Sequence, residues 1–170
     1  MAQSLKILGK ISAIGFQTCI NEFDVVIVDT NILIDSPECV LEISKYTKTI
    51  IPVECIDELN VLKGKSDELN NKVNFSLKMI NELKSASHNY SLVALSRYVQ
   101  RRLPDFSGIA VPQISDVDFK IIQYAKYLHS ELLGTKILIL SKDKELQAAA
   151  SYFDCCCYVG DINSYYIPQK

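Results

Sequence analysis

No apolar run in this chain approaches the roughly 20 residues that cross a bilayer, which excludes a transmembrane helix. Residues 1–23 hold Lys6 and Lys10 within a short apolar stretch and lack the apolar segment of a secretory signal, so a cytoplasmic protein without membrane contact is expected. Charge of one sign is also lacking. A formal net charge of −2 gives no global attraction for nucleic acid, so any such contact must come from a local basic rim. Histidine is scarce: His88 and His129 fall in unrelated segments, with no HExxH and no suitably placed nucleophile pair. The six cysteines are scattered, which argues against a disulfide framework and fits buried thiols in a reducing compartment. The sequons at Asn74 and Asn89 then read as chance. Adjacent residues of a strand point to opposite faces, so Cys155, Cys156 and Cys157 cannot easily share one zinc and read as buried strand residues. Gly64-Lys65-Ser66 is not the end of a Walker A loop, because Leu59 stands where the first glycine is needed and a helix precedes it. There is no internal repeat and no low-complexity tract.

What is present is an ordinary globular composition, 48% hydrophobic and 22% charged over 170 residues. That length suits one domain burying roughly two thirds of its unfolded surface. Val25–Val28 is a continuous β-branched run, the pattern of a buried parallel strand. Ser36-Pro37 signals a helix start, with Ser36 as N-cap and Pro37 at the first helical position. Lys48–Val53 reads as a strand, followed by a helix through Ile56, Leu59 and Leu62 that fades near Gly64. Asp67–Leu83 places Leu69, Val73, Leu77, Ile80 and Leu83 on one helical stripe. Tyr90–Leu103 reads as a helix ending before Pro104, and 105–115 as a loop. Asp116–Leu133 is a long helix closed by Gly134. A strand over Lys136–Leu140, a helix over Lys144–Tyr152 and a strand over Cys155–Val159 complete the chain. Strands alternating with helices predict an α/β protein with a parallel sheet. Residues 1–23 form an extension without an assigned role, and 24–170 the domain.

Four acidic clusters stand out. Asp29 follows the first apolar strand in VVIVDTN. Glu58 lies in the helix of IPVECIDEL. Asp116 and Asp118 open the helix of SDVDFKII, and Asp143 lies just past the strand of KILILSKD. Ligands of open parallel sheets bind outside the carboxyl ends of the strands, so acids far apart in sequence can meet at one rim. Gathered carboxylates repel unless a cation neutralises them, and the pattern predicts a divalent metal site. Each acid also has a plainer reading. Asp29 and Asp143 suit turns or caps, Glu58 suits a solvated helix face beside Asp57, and Asp116 and Asp118 suit a helix N-terminus.

Taken together and in order, these segments resemble the PIN-domain nucleases, in texture the PIN module found fused to PhoH-type ATPases, and they are also similar to toxin-type PIN ribonucleases. The resemblance runs from about Asp24 to Val159. It implies a three-layer α/β/α sandwich with a central parallel sheet, and a metal-dependent endoribonuclease using Mg²⁺ or Mn²⁺. Carried over by position, it implies Asp29, Glu58, Asp118 and Asp143 as catalytic metal-binding acids. Asp116 is a near alternative to Asp118 or a further ligand. Glu145 stands two residues past Asp143, where several members of the family add an acid. The resemblance further implies Thr30, Asn31 and Ser141 as residues supporting the acids. Hard Mg²⁺ and Mn²⁺ prefer carboxylate oxygen, and hydrolysis of a phosphodiester needs cationic help.

Basic residues flank the clusters: Lys63, Lys65, Lys142 and Lys144, with Arg97, Arg101 and Arg102 further along. They read either as solvated surface or as a rim gripping phosphate; Lys142, Lys63, Arg101 and Arg102 are the candidates for substrate contact. The expected partner is single-stranded RNA, with a homodimer and an antitoxin or other protein partner as further expectations. The competing reading is a non-catalytic PIN-like RNA-binding or scaffold module.

Overall fold

The computed structural model describes residues 23–85, 88–99, 114–152 and 157–159. Five parallel strands form one sheet: β1 (Val25–Val28), β2 (Lys48–Pro52), β3 (Tyr90–Val93), β4 (Ile137–Ser141) and β5 (Cys157–Val159), in the order β3-β2-β1-β4-β5. Among the described residues the helices are α1 (Thr30–Asp35), α2 (Pro37–Tyr46), α3 (Val53–Leu62), α4 (Asp67–Ser85), α5 (Asp116–Glu131) and α6 (Lys144–Tyr152), with a 3-10 turn at Leu95–Arg97.

The chain winds outward from β1 through β2 to β3, then returns to place β4 on the other side of β1 and moves on to β5. Right-handed crossovers are the rule for such connections. Reversing the direction of winding therefore reverses the face that the crossover helices cover. α1 to α4 lie on one face and α5 and α6 on the other, giving the three-layer α/β/α sandwich. The reversal falls between β1 and β4, which makes their carboxyl ends the topological switch point of the sheet.

β1 and β4 are buried along their whole length, as expected of apolar strands covered on both faces. They run in register, Val25 beside Ile137 and Val28 beside Leu140. Asp29 N–H then donates to the Leu140 carbonyl at 3.0 Å, so the sheet fixes the backbone of the first acid. Leu59 on α3 and Ile121 and Ile122 on α5 are buried and seat those two helices against the core. In α4, Val73, Ile80 and Leu83 face inward, and Ser76, on the same stripe, donates to the Leu33 carbonyl of α1. Cys39 and Cys55 are buried free thiols.

Several expectations need correction. The helix predicted over Tyr90–Leu103 is, in its described part, edge strand β3 followed by the 3-10 turn. Thr49 to Pro52 pair with Tyr90 to Val93, and this long-range pairing overrides the local helical spacing. Among the described residues the sheet has five strands, where the sequence pattern predicts four. β2 stops at Pro52, and Val53 already opens α3. The strand β1 passes almost directly into a helix, so Asn31 lies in the first turn of α1. Ser36 occupies the N-cap of α2, with Pro37 at its start, but makes no side-chain cap bond. α5 ends at Glu131, and Gly134 takes its positive φ of 82° two residues beyond the Leu132 cap. The extension up to residue 22, the 105–113 loop, Arg101, Arg102, Cys155 and Cys156 lie outside the described residues. Among the described residues, no helix is long and apolar enough to cross a membrane.

Candidate active site

The carboxyl ends of β1 and β4 meet in a hydrogen-bonded knot. Asp29 is the N-cap of α1, in extended conformation. Its Oδ1 accepts from Thr30 N–H at 2.7 Å. Its Oδ2 accepts from the Asn31 amide at 2.9 Å and from Ser141 Oγ at 2.6 Å. Ser141 closes β4, so one hydroxyl ties the two central strands together through a carboxylate. Asn31 also bridges the strands, since its Oδ1 accepts from Lys142 N–H at 3.0 Å and its amide reaches Ser141 Oγ at 3.2 Å. Ser141 Oγ accepts in turn from Asp143 N–H at 3.0 Å. Asp143 Oδ1 then accepts from Glu145 N–H at 2.8 Å and caps α6.

The other two acids come from flanking helices. Glu58 on α3 accepts from Thr30 Oγ1 at 2.5 Å, so Thr30 joins Glu58 to the residue that holds Asp29. Asp118 lies in the first turn of α5, where its N–H donates to Ser115 Oγ at 3.1 Å. Asp118 is buried, whereas Asp116 is 71% exposed at its side chain and paired with Lys120 at 2.8 Å. The geometry thus gives the two neighbouring acids different surroundings, and sets Asp116, the alternative to Asp118, apart from the knot.

The proton affinities follow from this gathering. Burial pushes Asp29 above the usual carboxylate range, against the stabilising bonds from Ser141 and Thr30, and the charges of Glu58 and Asp143 push the same way as burial. Asp118 is raised to about 7, first by burial and then by the charges of Asp29 and Asp143. Beneath them the Cys55 thiol is raised by burial and by Asp29, Glu58 and Asp118 together. A buried thiol of this kind stays neutral and unreactive. Its Sγ donates weakly to the Val28 carbonyl at 3.9 Å.

The basic residues are less concentrated. Lys142 is half-buried and its ammonium lies 3.6 Å from Asp35, on the α1 side of the knot. Lys63 caps α3 at the surface, and Lys65, Lys144 and Arg97 are exposed. Beside Glu58 a groove of about 430 Å³ opens, walled by Val61, Leu62 and Val117 and flanked by Glu54 and Asp57.

Ser115 and Glu54 were missed in the sequence. The signal for Ser115 was there: Ser115-Asp116-Val117-Asp118 has the S-x-x-D spacing of a helix N-terminal cap. Glu54 gave none. Its carboxylate accepts from Leu95 N–H at 3.0 Å, Ser96 N–H at 2.9 Å and Ser96 Oγ at 2.8 Å, a link across 41 residues that only the fold creates. Burial acts to raise Glu54, and these bonds together outweigh it and hold the carboxyl below the usual carboxylate range.

Among the described residues, no three histidine, cysteine or acidic side chains already close into a coordination shell. The donor set nevertheless fits a hard divalent ion. It is all carboxylate oxygen, its members repel one another, and Mg²⁺ characteristically binds through one or two carboxylates while keeping several waters.

A family model described as a PIN domain matches residues 26–155. Among solved structures, a domain of a functionally unknown protein from Methanocaldococcus jannaschii DSM 2661 is similar with a TM-score of 0.56 at 18% identity, over 86% of this chain and 95% of that one. The T. brucei RRP44 PIN domain gives a TM-score of 0.49 at 12% identity, over 82% of this chain and 78% of that one. No curated protein matches the chain. At such identities the first structure speaks for the fold alone.

Proposed function

This chain belongs to the PIN-domain family, whose members are generally metal-dependent nucleases, and we propose that it is a metal-dependent endoribonuclease acting at Asp29, Glu58, Asp118 and Asp143. The observation that carries the reading is the convergence of these acids, from four separate segments, on the switch point of the sheet. There Asp29, Glu58 and Asp143 add their charges to burial in raising the proton affinity of their neighbours. A fold has no structural reason to gather charges that repel, and perturbed carboxylates at a rim are a mark of function.

The metal would be held by Asp29, with Glu58, Asp118 and Asp143 around it. When bound, Mg²⁺ or Mn²⁺ supplies the Lewis acidity that activates water and offsets the charge building on the phosphodiester. The protein supplies position. Thr30 N–H, Asn31 and Ser141 fix both oxygens of Asp29 before any ligand arrives, so little ordering remains to be done on binding. Thr30 Oγ1 steers Glu58 in the same way. Asp118 holds a proton near neutrality and must release it to act as a charged ligand, so function should strengthen as pH rises through about 7.

The test is incubation of a labelled, mixed-sequence single-stranded RNA with Mn²⁺, Mg²⁺ or EDTA. Internal cleavage with either metal and none with EDTA is expected. Well-folded protein that leaves the RNA intact with both metals would turn the reading toward a non-catalytic binding module. A milder expectation concerns Asn31. Asn31→Ala removes one donor to Asp29 and the bridge to Lys142, and loss of such a supporting partner typically costs about 10–100-fold in metal affinity or activity. Titration of the metal-dependent melting shift in Asn31→Ala and wild type checks it.

A further inference from the structure

We propose that Tyr98, backed by Tyr124 and Tyr127, is a stacking platform for one base of a single-stranded RNA whose backbone lies over the acidic knot. This rests on the nuclease reading above and adds a recognition element to it.

The three rings form a closed triangle. Tyr98 lies 5.3 Å from Tyr124 and 5.3 Å from Tyr127, centroid to centroid, and those two are 6.0 Å apart. The triangle is graded in exposure: Tyr124 is buried at 5%, Tyr127 is half-buried, and Tyr98 is 45% open to solvent. Scattered apolar residues on a surface need no explanation. Tyr98 differs, because two rings support it from behind while much of it stays open. A ring already immobilised in this way loses little freedom when a ligand stacks on it.

Its placement ties it to the acids twice. α5 presents Asp118 in its first turn and Tyr124 six residues later. At about 1.5 Å of rise per residue Tyr124, the ring behind the platform, is roughly 9 Å along the helix axis from Asp118. The second tie is Glu54. It holds the turn at Leu95 and Ser96 that leads into Tyr98, and it stands one helical turn before Glu58 on α3. Glu54 and Glu58 are therefore neighbours on one helix face, one fixing the platform and the other joining the knot. Glu54 also flanks the groove beside Glu58, so groove and platform share an anchor.

The chemistry selects the occupant. Every base offers a π-face to an aromatic ring, so such a platform tolerates any sequence. It requires bases that are not already stacked in a duplex, which single strands provide. Arg97, exposed and directly before Tyr98 in the chain, adds a positive charge to this surface for the adjoining phosphate.

The test is equilibrium binding of a fluorescently labelled mixed-sequence single-stranded RNA in Mg²⁺. The protein is full-length Asp29→Asn, compared with the same chain also carrying Tyr98→Phe, Tyr98→Leu or Tyr98→Ala. Tyr98→Ala should weaken binding between about fivefold and a hundredfold, the range for loss of one stacked base. Tyr98→Phe should bind within about twofold of its parent, because it keeps the π-face. Tyr98→Leu restores apolar bulk without a π-face, and should recover the melting temperature but not the affinity. Tyr98→Ala binding as tightly as the parent would overturn the platform, as would Tyr98→Leu doing so. If Tyr98→Ala does not fold, the comparison of Phe with Leu decides alone. Cleavage by wild type is a separate readout. Tyr98-dependent binding without cleavage would sustain the platform and remove the nuclease reading, while cleavage with Tyr98-independent binding would do the reverse.

Discussion

Asp29→Asn is expected to lower RNA cleavage by well over about a hundredfold while leaving the fold intact. Loss of a partner that merely supports a ligand already costs up to about a hundredfold, and Asp29 is the carboxylate around which the other groups are arranged. The direction of the stability change follows from two opposed effects. Burial and the charges of Glu58 and Asp143 make the ionised form of Asp29 costly in the metal-free protein, so a neutral side chain relieves repulsion. Against that, Oδ2 of Asp29 receives donors from both Asn31 and Ser141. An amide nitrogen there faces donors, and a mismatched buried pair costs about 1–3 kcal/mol. Ser141 can rotate its hydroxyl, but Asn31 is held by Lys142 N–H and cannot flip freely. The two effects offset, and the melting temperature should move by no more than about 4 °C, the shift from a net 1 kcal/mol in a chain of this size. Metal should also cease to raise it. The measurement is cleavage in Mn²⁺ beside thermal melts with and without metal. Cleavage near the wild-type rate would remove Asp29 from the chemistry, and outright unfolding would make it a structural residue.

The sites of the acids are readable in the sequence where their positions depend on local signals that the fold respects. Val25–Val28 and Ile137–Leu140 are continuous apolar runs, and such runs become central parallel strands covered on both faces. Asp29 and Asp143, just past them, consequently fall at the switch point. What could not be read depends on pairing across the chain. Tyr90–Val93 has both helical spacing and β-forming residues, and becomes a strand because β2 offers it a free edge. By residue type and local composition Asp116 and Asp118 look alike, and only the family resemblance favours Asp118, through the spacing of Asp118, Ile121 and Ala125. They diverge because Lys120, one turn along, draws Asp116 outward, while Ser115 and the packing of Phe119 and Ile121 turn Asp118 in. The Glu54 link to the 3-10 turn and the tyrosine triangle likewise join residues that no local pattern connects.

Asp118→Asn should flatten the pH dependence of stability in metal-free protein, and this is the other large effect. The carboxyl of Asp118 is raised from 3.8 to about 7 in the folded state. Between those values the folded chain keeps a proton that the unfolded chain has released, so stability falls as pH rises. The contribution is complete below the unfolded value of 3.8 and is lost as pH climbs through about 7. The amide of the variant has no proton to release and makes no such contribution. In EDTA the variant and wild type should melt together near the acid end of this window, and the variant should be several degrees more stable above it. At the proposed site metal should invert the wild-type trend, because an ion binds the deprotonated carboxylate and would stabilise more as pH rises. The same variant should lose most of this metal-dependent gain along with cleavage. Melting curves at about pH 4, 6, 7 and 8, with EDTA and with Mg²⁺, test both halves of the linkage. Parallel curves for the two proteins in EDTA would mean that Asp118 is not held against burial and its neighbours' charges. A metal-induced shift that persists undiminished in Asp118→Asn would place the ion on Asp29, Glu58 and Asp143 without it.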